Sequence, residues 1–238
     1  MYKDKSVIAI IVAAGKGKRM DSDIPKQYLV VDDKIILDKT IEQFEKNNKI
    51  DNIIIVVNSE DMDFVKKNIT YERPSVTKVV SGGAERINSV YNGILSIDED
   101  MKNSIVLIHD GVRPFASQKL INNCIENSYE YGACVPVIDL VDTVKQVTKD
   151  NLIKKTIDRS KYKAVQTPQG FNYEIIKKCY DLAIEDNISA SARTLVTDDS
   201  SIVEHYGYTV KAIAGLQKNI KITTQFDLRV AELISRMV

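Results

Sequence analysis

The sequence has no excess of charge of either sign, since 33 lysines and arginines balance 33 aspartates and glutamates. A chain without net charge does not present the global basic field that attracts nucleic acid or an anionic membrane surface. We therefore expect neither kind of partner. Any anion that this protein binds has to be recognised by a local cluster of cations.

Cysteine and histidine are also scarce. Cys124, Cys134 and Cys179 form an odd set without a Cys-x-x-Cys pair, which argues against a disulfide framework and a structural zinc site. We expect them to be small core or surface residues in a reducing cytosol. His109 and His205 lack the spacing of metal ligands, and we expect the first to be structural and the second to lie at the surface.

Long hydrophobic runs are absent as well. The N-terminal apolar run from Val7 to Ala13 is far shorter than the ~20 residues that span a bilayer. It ends in a lysine-rich loop without a small-residue cleavage site, so it does not have the form of a signal peptide. The expected location is the cytoplasm, without a membrane anchor.

What the chain does have is a regular alternation of short apolar runs with segments of helical period. This alternation predicts a Rossmann-like α/β fold, with a mostly parallel sheet covered by helices on both faces. We expect residues 1–238 to form a single domain. The predicted strands cover residues 6–13, 52–58, 76–80, 104–108, 133–137, 209–214 and 221–223. The predicted helices cover residues 37–44, 61–68, 85–97, 119–131, 173–186 and 198–206, and a last helix starts at Thr224.

Residues 139–157 break this alternation. A few valines and Ile153 stand among charged residues there, and Thr148-Lys-Asp-Asn151 predicts a turn. The segment therefore predicts a hairpin with too few apolar residues to join the main sheet. The residues alone leave two interpretations open, namely a β arm over residues 139–159 that contacts a second subunit, or a plain surface hairpin.

The loop Ala14-Gly-Lys-Gly-Lys-Arg-Met20 follows the first predicted strand directly and is followed by Lys26. Glycines let backbone N–H groups approach an anion closely, and the lysines and arginine neutralise its charge. The loop is not a Walker motif, and it lacks the third glycine of a dinucleotide-binding fingerprint, which makes a nicotinamide dehydrogenase a weak alternative. The pattern favours a bound polyanion over a merely solvated basic loop.

Two further polar segments follow predicted strands, namely Gly82-Gly83 and His109-Asp-Gly-Val-Arg113. Ligands of parallel α/β sheets bind beyond the carboxyl ends of the strands, so these segments and the first loop are expected to share one edge. Asp110 is placed there to hold Mg²⁺, which prefers carboxylate and phosphate oxygens. The alternative is an aspartate that caps the next turn, and Arg113 would either reach a phosphate or brace the loop.

An ordered set of motifs spans nearly the whole chain and resembles the 2-C-methyl-D-erythritol 4-phosphate cytidylyltransferases. The resemblance implies a homodimeric, Mg²⁺-dependent enzyme of non-mevalonate isoprenoid synthesis that joins CTP to methylerythritol phosphate and releases pyrophosphate. The motifs are Ala13-Ala-Gly-x-Gly-x-Arg-Met20, Pro25-Lys-Gln-Tyr-Leu29, Gly82-Gly-x-x-Arg-x-x-Ser89, His109-Asp-Gly-x-Arg-Pro114, Asp142-Thr143, Asp158-Arg159, Thr167-Pro-Gln169, Thr197-Asp198 and Asn219-Ile-Lys-Ile-Thr223.

The resemblance also implies roles for particular residues. The catalytic cations would be Arg19, Lys26 and Lys221, which stabilise the charge on the reacting phosphates. The nucleotide would contact Ala13, Ala14, Gly15, Gly17, Gly82, Gly83, Arg86, Ser89, Asp110 and Gly111. The substrate phosphate would be held by Arg113, Thr143, Arg159 and Thr167, with Thr143 and Arg159 supplied by the β arm of the other subunit. The β arm would then serve dimerisation.

The chain departs from the family pattern at two places. Ala84 follows the glycine pair where an acidic or polar residue is common, and the segment Ile188-Ser-Ala-Ser-Ala-Arg-Thr-Leu195 is longer than usual. The related ribitol 5-phosphate cytidylyltransferases share most of these motifs but differ in the first loop, which makes them the second expectation. A non-catalytic nucleotide-binding module is the alternative from another class.

Overall fold

The computed structural model describes residues 1–15, 24–188 and 196–237. Its strands are β1 (Ser6–Val12), β2 (Val30–Val31), β3 (Lys34–Ile35), β4 (Asn52–Val57), β5 (Val76–Ser81), β6 (Ser104–Asp110), β7 (Ala133–Asp139), β8 (Lys145–Val147), β9 (Ile153–Thr156), β10 (Lys163–Val165), β11 (Gln169–Asn172) and β12 (Lys211–Ala214). Its α-helices are α1 (Ile36–Glu45), α2 (Met62–Asn68), α3 (Arg86–Leu95), α4 (Gln118–Tyr131), α5 (Tyr173–Glu185), α6 (Asp199–His205) and α7 (Gln225–Ser235).

The main sheet has the strand order β10-β7-β11-β6-β1-β4-β5, and β12 also pairs with β7. The pairs β6-β1, β1-β4, β4-β5 and β12-β7 are parallel, whereas β11 and β10 run antiparallel to their neighbours. The alternation of strands and helices favours this arrangement, because parallel neighbours need a crossover that a helix supplies. The α/β fold with a mostly parallel sheet is confirmed.

The central strand β1 is apolar on both faces because helices cover both sides of the sheet. Ile8 and Ile10 pack in one core cluster, which includes side chains of α3 and α5. Val7 and Ile11 pack in the other, which includes side chains of α1, α2 and α4. Successive side chains of a strand point to opposite faces, so a continuous apolar run serves two cores at once.

A third, smaller cluster supports the C-terminal part of the chain. Val31, Ile36, Val112, Ile222 and Ala231 are buried together there. Helix α7 begins where predicted, since the Thr224 hydroxyl oxygen accepts a hydrogen bond from the Asp227 N–H at 3.2 Å. This cluster matters for the site because Ile222 is the neighbour of Lys221, and its N–H donates to the Val112 carbonyl at 3.0 Å.

The hairpin expected between residues 139 and 157 is present as the antiparallel pair β8-β9, outside the main sheet. Its apolar side chains are exposed, with Val147 at 51% and Leu152 and Ile153 each at 66%. In an isolated subunit nothing covers these side chains among the described residues. The hairpin is thus confirmed, and its role in dimerisation stays a prediction.

The fold differs from the sequence-based expectation in several features. Residues 221–223 are not a strand, because the bond of Ile222 to Val112 is not continued as a ladder. The short strands β10 and β11 were not expected, since neither has a long apolar run. The small hairpin β2-β3 was not expected either. Strand β6 continues two residues further than predicted, so that His109 and Asp110 belong to the strand itself.

None of the helices in the described ranges is long and apolar enough to cross a lipid bilayer. The cysteines Cys124, Cys134 and Cys179 are all free and buried, which agrees with the expectation of small core residues. His205 lies at the surface, in the last turn of α6.

Candidate active site

The carboxyl ends of the central strands lie level with one another. Val12 is in register with Val56 of β4 on one side and with Asp110 of β6 on the other. The chain continues this alignment beyond the strands, since the Gly111 N–H donates to the Val12 carbonyl at 2.8 Å and the Gly82 N–H to the Val57 carbonyl at 2.7 Å. The described residues that follow β1, β5 and β6 therefore share one edge, as predicted.

A cavity of about 750 Å³, which we call pocket A, opens at this edge. It receives residues from the ends of four strands and from the turn that begins at Lys26. Its lining comprises Val12, Ala13, Ala14, Gly15, Lys26, Gln27, Asn58, Ser59, Gly82, Gly83, Ala84, Glu85, Arg86, Ser89, Asp110, Val112 and Lys221.

The glycine at position 82 is required by close packing. A Cβ atom there would lie 2.5 Å from Ala14 Cβ and 2.9 Å from Ser89 Oγ, both too short for real contacts. Ser89 is buried, and its hydroxyl oxygen accepts from the Gly83 N–H at 3.1 Å while the hydroxyl donates to the Glu85 carbonyl at 3.1 Å. Ser89 therefore shapes the glycine turn that forms one wall of pocket A.

Lys26 follows the first loop in the sequence. It begins a single helical turn that runs from Lys26 to Tyr28. The buried side chain of Gln27 donates through Nε2 to the Gly15 carbonyl at 3.1 Å. This hydrogen bond fastens the turn to the start of the glycine loop. Lys26 itself lines pocket A.

Asp110 is buried, and three cations surround its carboxylate. Lys221 Nζ lies 2.9 Å and Arg113 Nε 3.2 Å from Oδ2, while Arg86 Nη2 lies 3.9 Å from Oδ1. Burial by itself raises the pKa of an aspartate, but Lys221, Arg86 and Arg113 together lower the pKa of Asp110 well below its usual range. The carboxylate is therefore ionised at neutral pH and gathers these cations at the centre of the site.

Arg86 makes a second and closer ion pair. Its Nη1 and Nη2 atoms each lie 2.7 Å from one carboxylate oxygen of Asp199, which is fully buried at the start of α6. The Tyr180 hydroxyl donates to Asp199 Oδ1 at 2.5 Å, so this carboxylate has three hydrogen bonds. Bidentate pairing of this kind fixes both the position and the plane of a guanidinium group.

A second cavity of about 520 Å³, which we call pocket B, adjoins pocket A. Three residues line both cavities, namely Arg86, Asp110 and Lys221. The remaining lining comes from Arg113, from the segment around Thr167, and from α6 with the two residues before it. It comprises Arg113, Val165, Gln166, Thr167, Gln169, Thr197, Asp198, Ser200, Ser201 and Glu204.

Thr167 and His109 form a buried chain of hydrogen bonds beside Asp110. The Asp110 N–H donates to Thr167 Oγ1 at 3.1 Å, and the Thr167 hydroxyl donates to His109 Nδ1 at 2.9 Å. His109 Nε2 donates to the Arg113 carbonyl at 3.0 Å, since a carbonyl oxygen can only accept. Burial lowers the pKa of His109 to about 4, so the imidazole is neutral at pH 7 and its Nδ1 accepts the hydrogen bond from Thr167. His109 thus has the structural role expected from the sequence.

Asn219 joins the segment that carries Lys221 to pocket B. The buried Asn219 Nδ2 donates to the Thr167 carbonyl at 2.7 Å. The Asn219 carbonyl accepts from Arg113 Nη1 at 2.9 Å and from Gln166 Nε2 at 3.3 Å. These contacts hold the chain before Lys221 in place although it belongs to no strand.

The model of the family described as 2-C-methyl-D-erythritol 4-phosphate cytidylyltransferase (IspD) matches residues 7–237. The chain belongs to this family. It is 42% identical over 229 residues to the 2-C-methyl-D-erythritol 4-phosphate cytidylyltransferase of Clostridium botulinum (strain Eklund 17B / Type B), an alignment that covers 96% of this chain and 98% of that protein.

Solved structures of the IspD family have the same fold. The 4-diphosphocytidyl-2C-methyl-D-erythritol synthase of Anaerococcus prevotii DSM 20548 superposes with a TM-score of 0.83 at 33% identity, covering 98% of this chain and 96% of that one. The 2-C-methyl-D-erythritol 4-phosphate cytidylyltransferase of Francisella tularensis has a TM-score of 0.81 at 33% identity, covering 97% of this chain and 100% of that one. The family resemblance stated from the motifs is therefore confirmed.

Most residues for which the IspD resemblance implied a role come together in the two pockets. Pocket A contains Ala13, Ala14, Gly15, Lys26, Gly82, Gly83, Arg86, Ser89, Asp110 and Lys221, and pocket B adds Arg113 and Thr167. Gly111 lies directly behind pocket A, where a Cβ atom would come 2.9 Å from Ala13 Cβ. Gly17, Arg19 and residues 189–195 lie outside the described residues.

Thr143 and Arg159 do not line either pocket of their own subunit. Both are exposed on the hairpin segment, and Arg159 donates from Nη1 to the Val141 carbonyl. Within one chain, the structure therefore does not bring them to Asp110. Their placement is compatible with a contribution to another subunit, which stays a prediction.

Sequence reasoning missed several residues that the structure places at or behind the pockets. Gln166, Asp199 and the side chain of Asn219 were given no role of their own, although they lie within or beside the quoted motifs. Asp199 follows Thr197-Asp198 directly, so the motif was one residue too short. The signal that was available is the pair of aspartates at the start of a helix, of which capping requires only one.

Proposed function

We propose that this chain transfers a cytidylyl group from CTP to 2-C-methyl-D-erythritol 4-phosphate and releases pyrophosphate. The observation that carries the proposal is the junction of two adjoining cavities at Arg86, Asp110 and Lys221. A reaction between two phosphorylated substrates needs two binding sites that share a charged centre. The names of the relatives support the choice of these two substrates.

In this proposal the nucleotide occupies pocket A. The first loop and Lys26 bind the triphosphate, and the turn at Gly82 and Gly83 binds the pyrimidine in a space bounded by Ala14 and Ser89. Ala84 also lines this pocket, so a contact to the base at that position would be made by its backbone. The polyol phosphate occupies pocket B, where Arg113 and Thr167 lie.

The reaction proceeds as a single in-line displacement. A phosphate oxygen of the polyol phosphate forms a new bond to the α-phosphorus of CTP, and the bond from that phosphorus to the bridging oxygen breaks. Pyrophosphate leaves with the electron pair. Such transfers need positioning and neutralisation of charge more than a protein nucleophile. Lys26 and Lys221 would supply positive charge for this neutralisation. Arg19 of the first loop would act with them.

We further propose that the enzyme uses Mg²⁺. No three His, Cys, Asp or Glu side chains come together within the described ranges, so the protein itself offers no cage of ligands there. Mg²⁺ typically takes one or two carboxylates together with substrate phosphates and water. Asp110 fits this donor set, since its Oδ1 faces Arg86 at 3.9 Å, beyond hydrogen-bonding distance. When bound, the ion would neutralise the triphosphate charge.

The hairpin of β8 and β9 is proposed as a dimerisation arm. Its apolar side chains are exposed in the single subunit, and burying them against a partner would be favourable by about 25 cal/mol per Å². Thr143 and Arg159 at its base would then complete pocket B of the other subunit. A homodimer in which each site contains residues of both chains follows from this arrangement.

The deciding experiment measures pyrophosphate release by the purified enzyme with CTP and each of two polyol phosphates. We expect turnover with 2-C-methyl-D-erythritol 4-phosphate and Mg²⁺, and much less with ribitol 5-phosphate. Preferred turnover of ribitol 5-phosphate would reassign the substrate. An absence of pyrophosphate with either acceptor, together with CTP binding, would indicate the non-catalytic nucleotide-binding module instead.

A further inference from the structure

A buried carboxylate outside both pockets is paired with a cation that lines both of them. Asp199 is not part of the lining of pocket A or pocket B, yet it pairs with Arg86 through two hydrogen bonds of 2.7 Å. We propose that Asp199 is a positioning residue for cytidylyl transfer, which fixes Arg86 at the junction of the two substrate pockets. This inference rests on the function proposed above.

The first argument is the geometry of the pair. Asp199 is fully buried, while the Arg86 side chain is one-third exposed toward the pockets. Both terminal nitrogens of Arg86 contact Asp199 on one side, and Nη2 also faces Asp110 at 3.9 Å. The guanidinium group therefore lies between two carboxylates, of which only Asp110 belongs to the pockets. Without Asp199, Asp110 would be free to draw Arg86 into a direct ion pair.

The second argument is the anchoring of Asp199 itself. Its Oδ1 accepts from the Tyr180 hydroxyl at 2.5 Å, and Tyr180 is fully buried in α5. The Tyr180 ring stacks on Tyr91 of α3, with centroids 6.4 Å apart and planes within 7° of parallel. Helix α3 also carries Arg86, so α3, α5 and α6 are linked through one carboxylate. Three hydrogen bonds compensate for the burial of its charge.

The third argument is the neighbour of Asp199. Asp198 accepts from Gln169 Nε2 at 2.7 Å, and the Ser200 N–H donates to Gln169 Oε1 at 2.9 Å. Gln169 lines pocket B. The start of α6 thus holds both Gln169 and Arg86 in place. A role limited to starting a helix would need only one of the two aspartates, and Asp198 already accepts from the Ser201 N–H at 3.0 Å.

If Asp199 is a positioning residue, it affects the reaction only through Arg86. In Asp199→Asn one hydrogen-bonding oxygen and the charge are lost, so Arg86 moves toward Asp110. We expect kcat/KM for the polyol phosphate to fall roughly 10- to 100-fold, the size of effect that a hydrogen bond to a charged partner gives. The Arg86→Ala variant is expected to lose at least as much. The double variant Arg86→Ala/Asp199→Asn is expected to equal Arg86→Ala within about twofold.

The experiment measures kcat and both KM values for the wild type and these three variants, and determines crystal structures of the wild type and Asp199→Asn. Asp38→Asn is the matched control, because it breaks an arginine–aspartate pair with Arg73 that lines neither pocket. We expect this control to keep wild-type kinetics. An inactive wild type would refute the proposed function, and the crystal structures would still test whether Arg86 depends on Asp199.

The inference is overturned if the losses of Arg86→Ala and Asp199→Asn multiply in the double variant, or if Arg86 keeps its 3.9 Å separation from Asp110 in Asp199→Asn. If Asp199→Asn does not fold, Tyr180→Phe replaces it in the experiment. The Tyr180→Phe variant keeps the Asp199 carboxylate and the aromatic ring and removes only the hydroxyl that donates to Asp199. We expect Tyr180→Phe to lower kcat/KM two- to tenfold, and this loss should vanish in the Arg86→Ala background. A loss that persists in that background would equally contradict the role.

Discussion

The Lys221 ammonium lies 2.9 Å from Asp110 Oδ2, at the boundary of the two substrate pockets. The two residues come from different parts of the fold, since Asp110 ends strand β6 and Lys221 lies in the segment before α7 that joins no strand. Lys221 remains 39% exposed, so its charge also faces the space where the substrates would meet. The ion pair therefore holds the lysine in place without enclosing it.

Lys221→Met is expected to lower kcat roughly 10²- to 10³-fold, because one preorganised charge at the reacting phosphates is lost. The measurement is pyrophosphate release at saturating concentrations of both substrates. Lys218→Met is the matched control, since Lys218 is exposed three residues earlier and lines neither pocket. Equal activity of the two variants would contradict a catalytic role for Lys221.

Lys26→Ala is expected to lower kcat by a similar factor of roughly 10²–10³, since Lys26 lines pocket A beside the glycine loop. The hydrogen bond from Gln27 to Gly15 does not involve the lysine side chain, so the fold of the loop should be retained. Lys46→Ala removes an exposed lysine elsewhere and provides the reference. A Lys26→Ala enzyme with the full turnover rate would remove Lys26 from the mechanism.

Arg159→Ala is expected mainly to raise the KM for the polyol phosphate, because Arg159 lies on the hairpin and not in the pockets of its own chain. Lys161→Ala, two residues further along and also exposed, is the control. The change is read from initial rates at varied acceptor concentration. An unchanged KM would remove Arg159 from the site.

Mixed dimers test whether the arm acts on the partner subunit. A dimer of one Arg159→Ala and one Lys26→Ala chain would contain one intact site if Arg159 acts in trans, and none if it acts in cis. Random reassembly of equal amounts should then restore about a quarter of wild-type activity, since half of the dimers are mixed and each has one of two sites intact. Activity no greater than that of the separate variants would refute action in trans.

The buried neutral His109 makes folding stability depend on pH. Its pKa is lowered by burial from 6.5 to about 4, so below pH 6.5 the unfolded chain binds a proton that the folded chain excludes. Stability from this source is fully present above pH 6.5 and is lost as pH falls toward 4. Between pH 7 and pH 5 the loss amounts to about 2 kcal/mol of the free energy of unfolding.

Urea unfolding of the wild type and His109→Gln at pH 7 and pH 5 measures this contribution. Glutamine can still donate to the Arg113 carbonyl but does not titrate. We expect the wild type to lose about 2 kcal/mol more than the variant between the two pH values. Equal losses would mean that the proton is accommodated in the folded protein.

The sequence predicted the central strands and the helices well because their signal is local. In β1 an apolar run of six residues, Val7 to Val12, is typical of a strand with both faces covered, and the helical spacing in α3 and α4 follows from one buried side. Strands β10 and β11 carry no such signal, since they have three and four residues and one of them contains a glycine. They are strands only because β7 and β6 offer them edges to pair with.

The amino-acid order by itself determined the alternation of strands and helices, the glycine loop after β1, and the family motifs, three of which lie at the carboxyl ends of β1, β5 and β6. Only the tertiary structure decided which side chains meet. Arg86 and Asp199 are 113 residues apart, and Asp110 and Lys221 are brought together across different elements. The physical reason is that hydrophobic periodicity reports which face of a helix or strand is buried. The partner of a buried charge depends instead on the order of the strands in the sheet and on the paths of the connections between the strands.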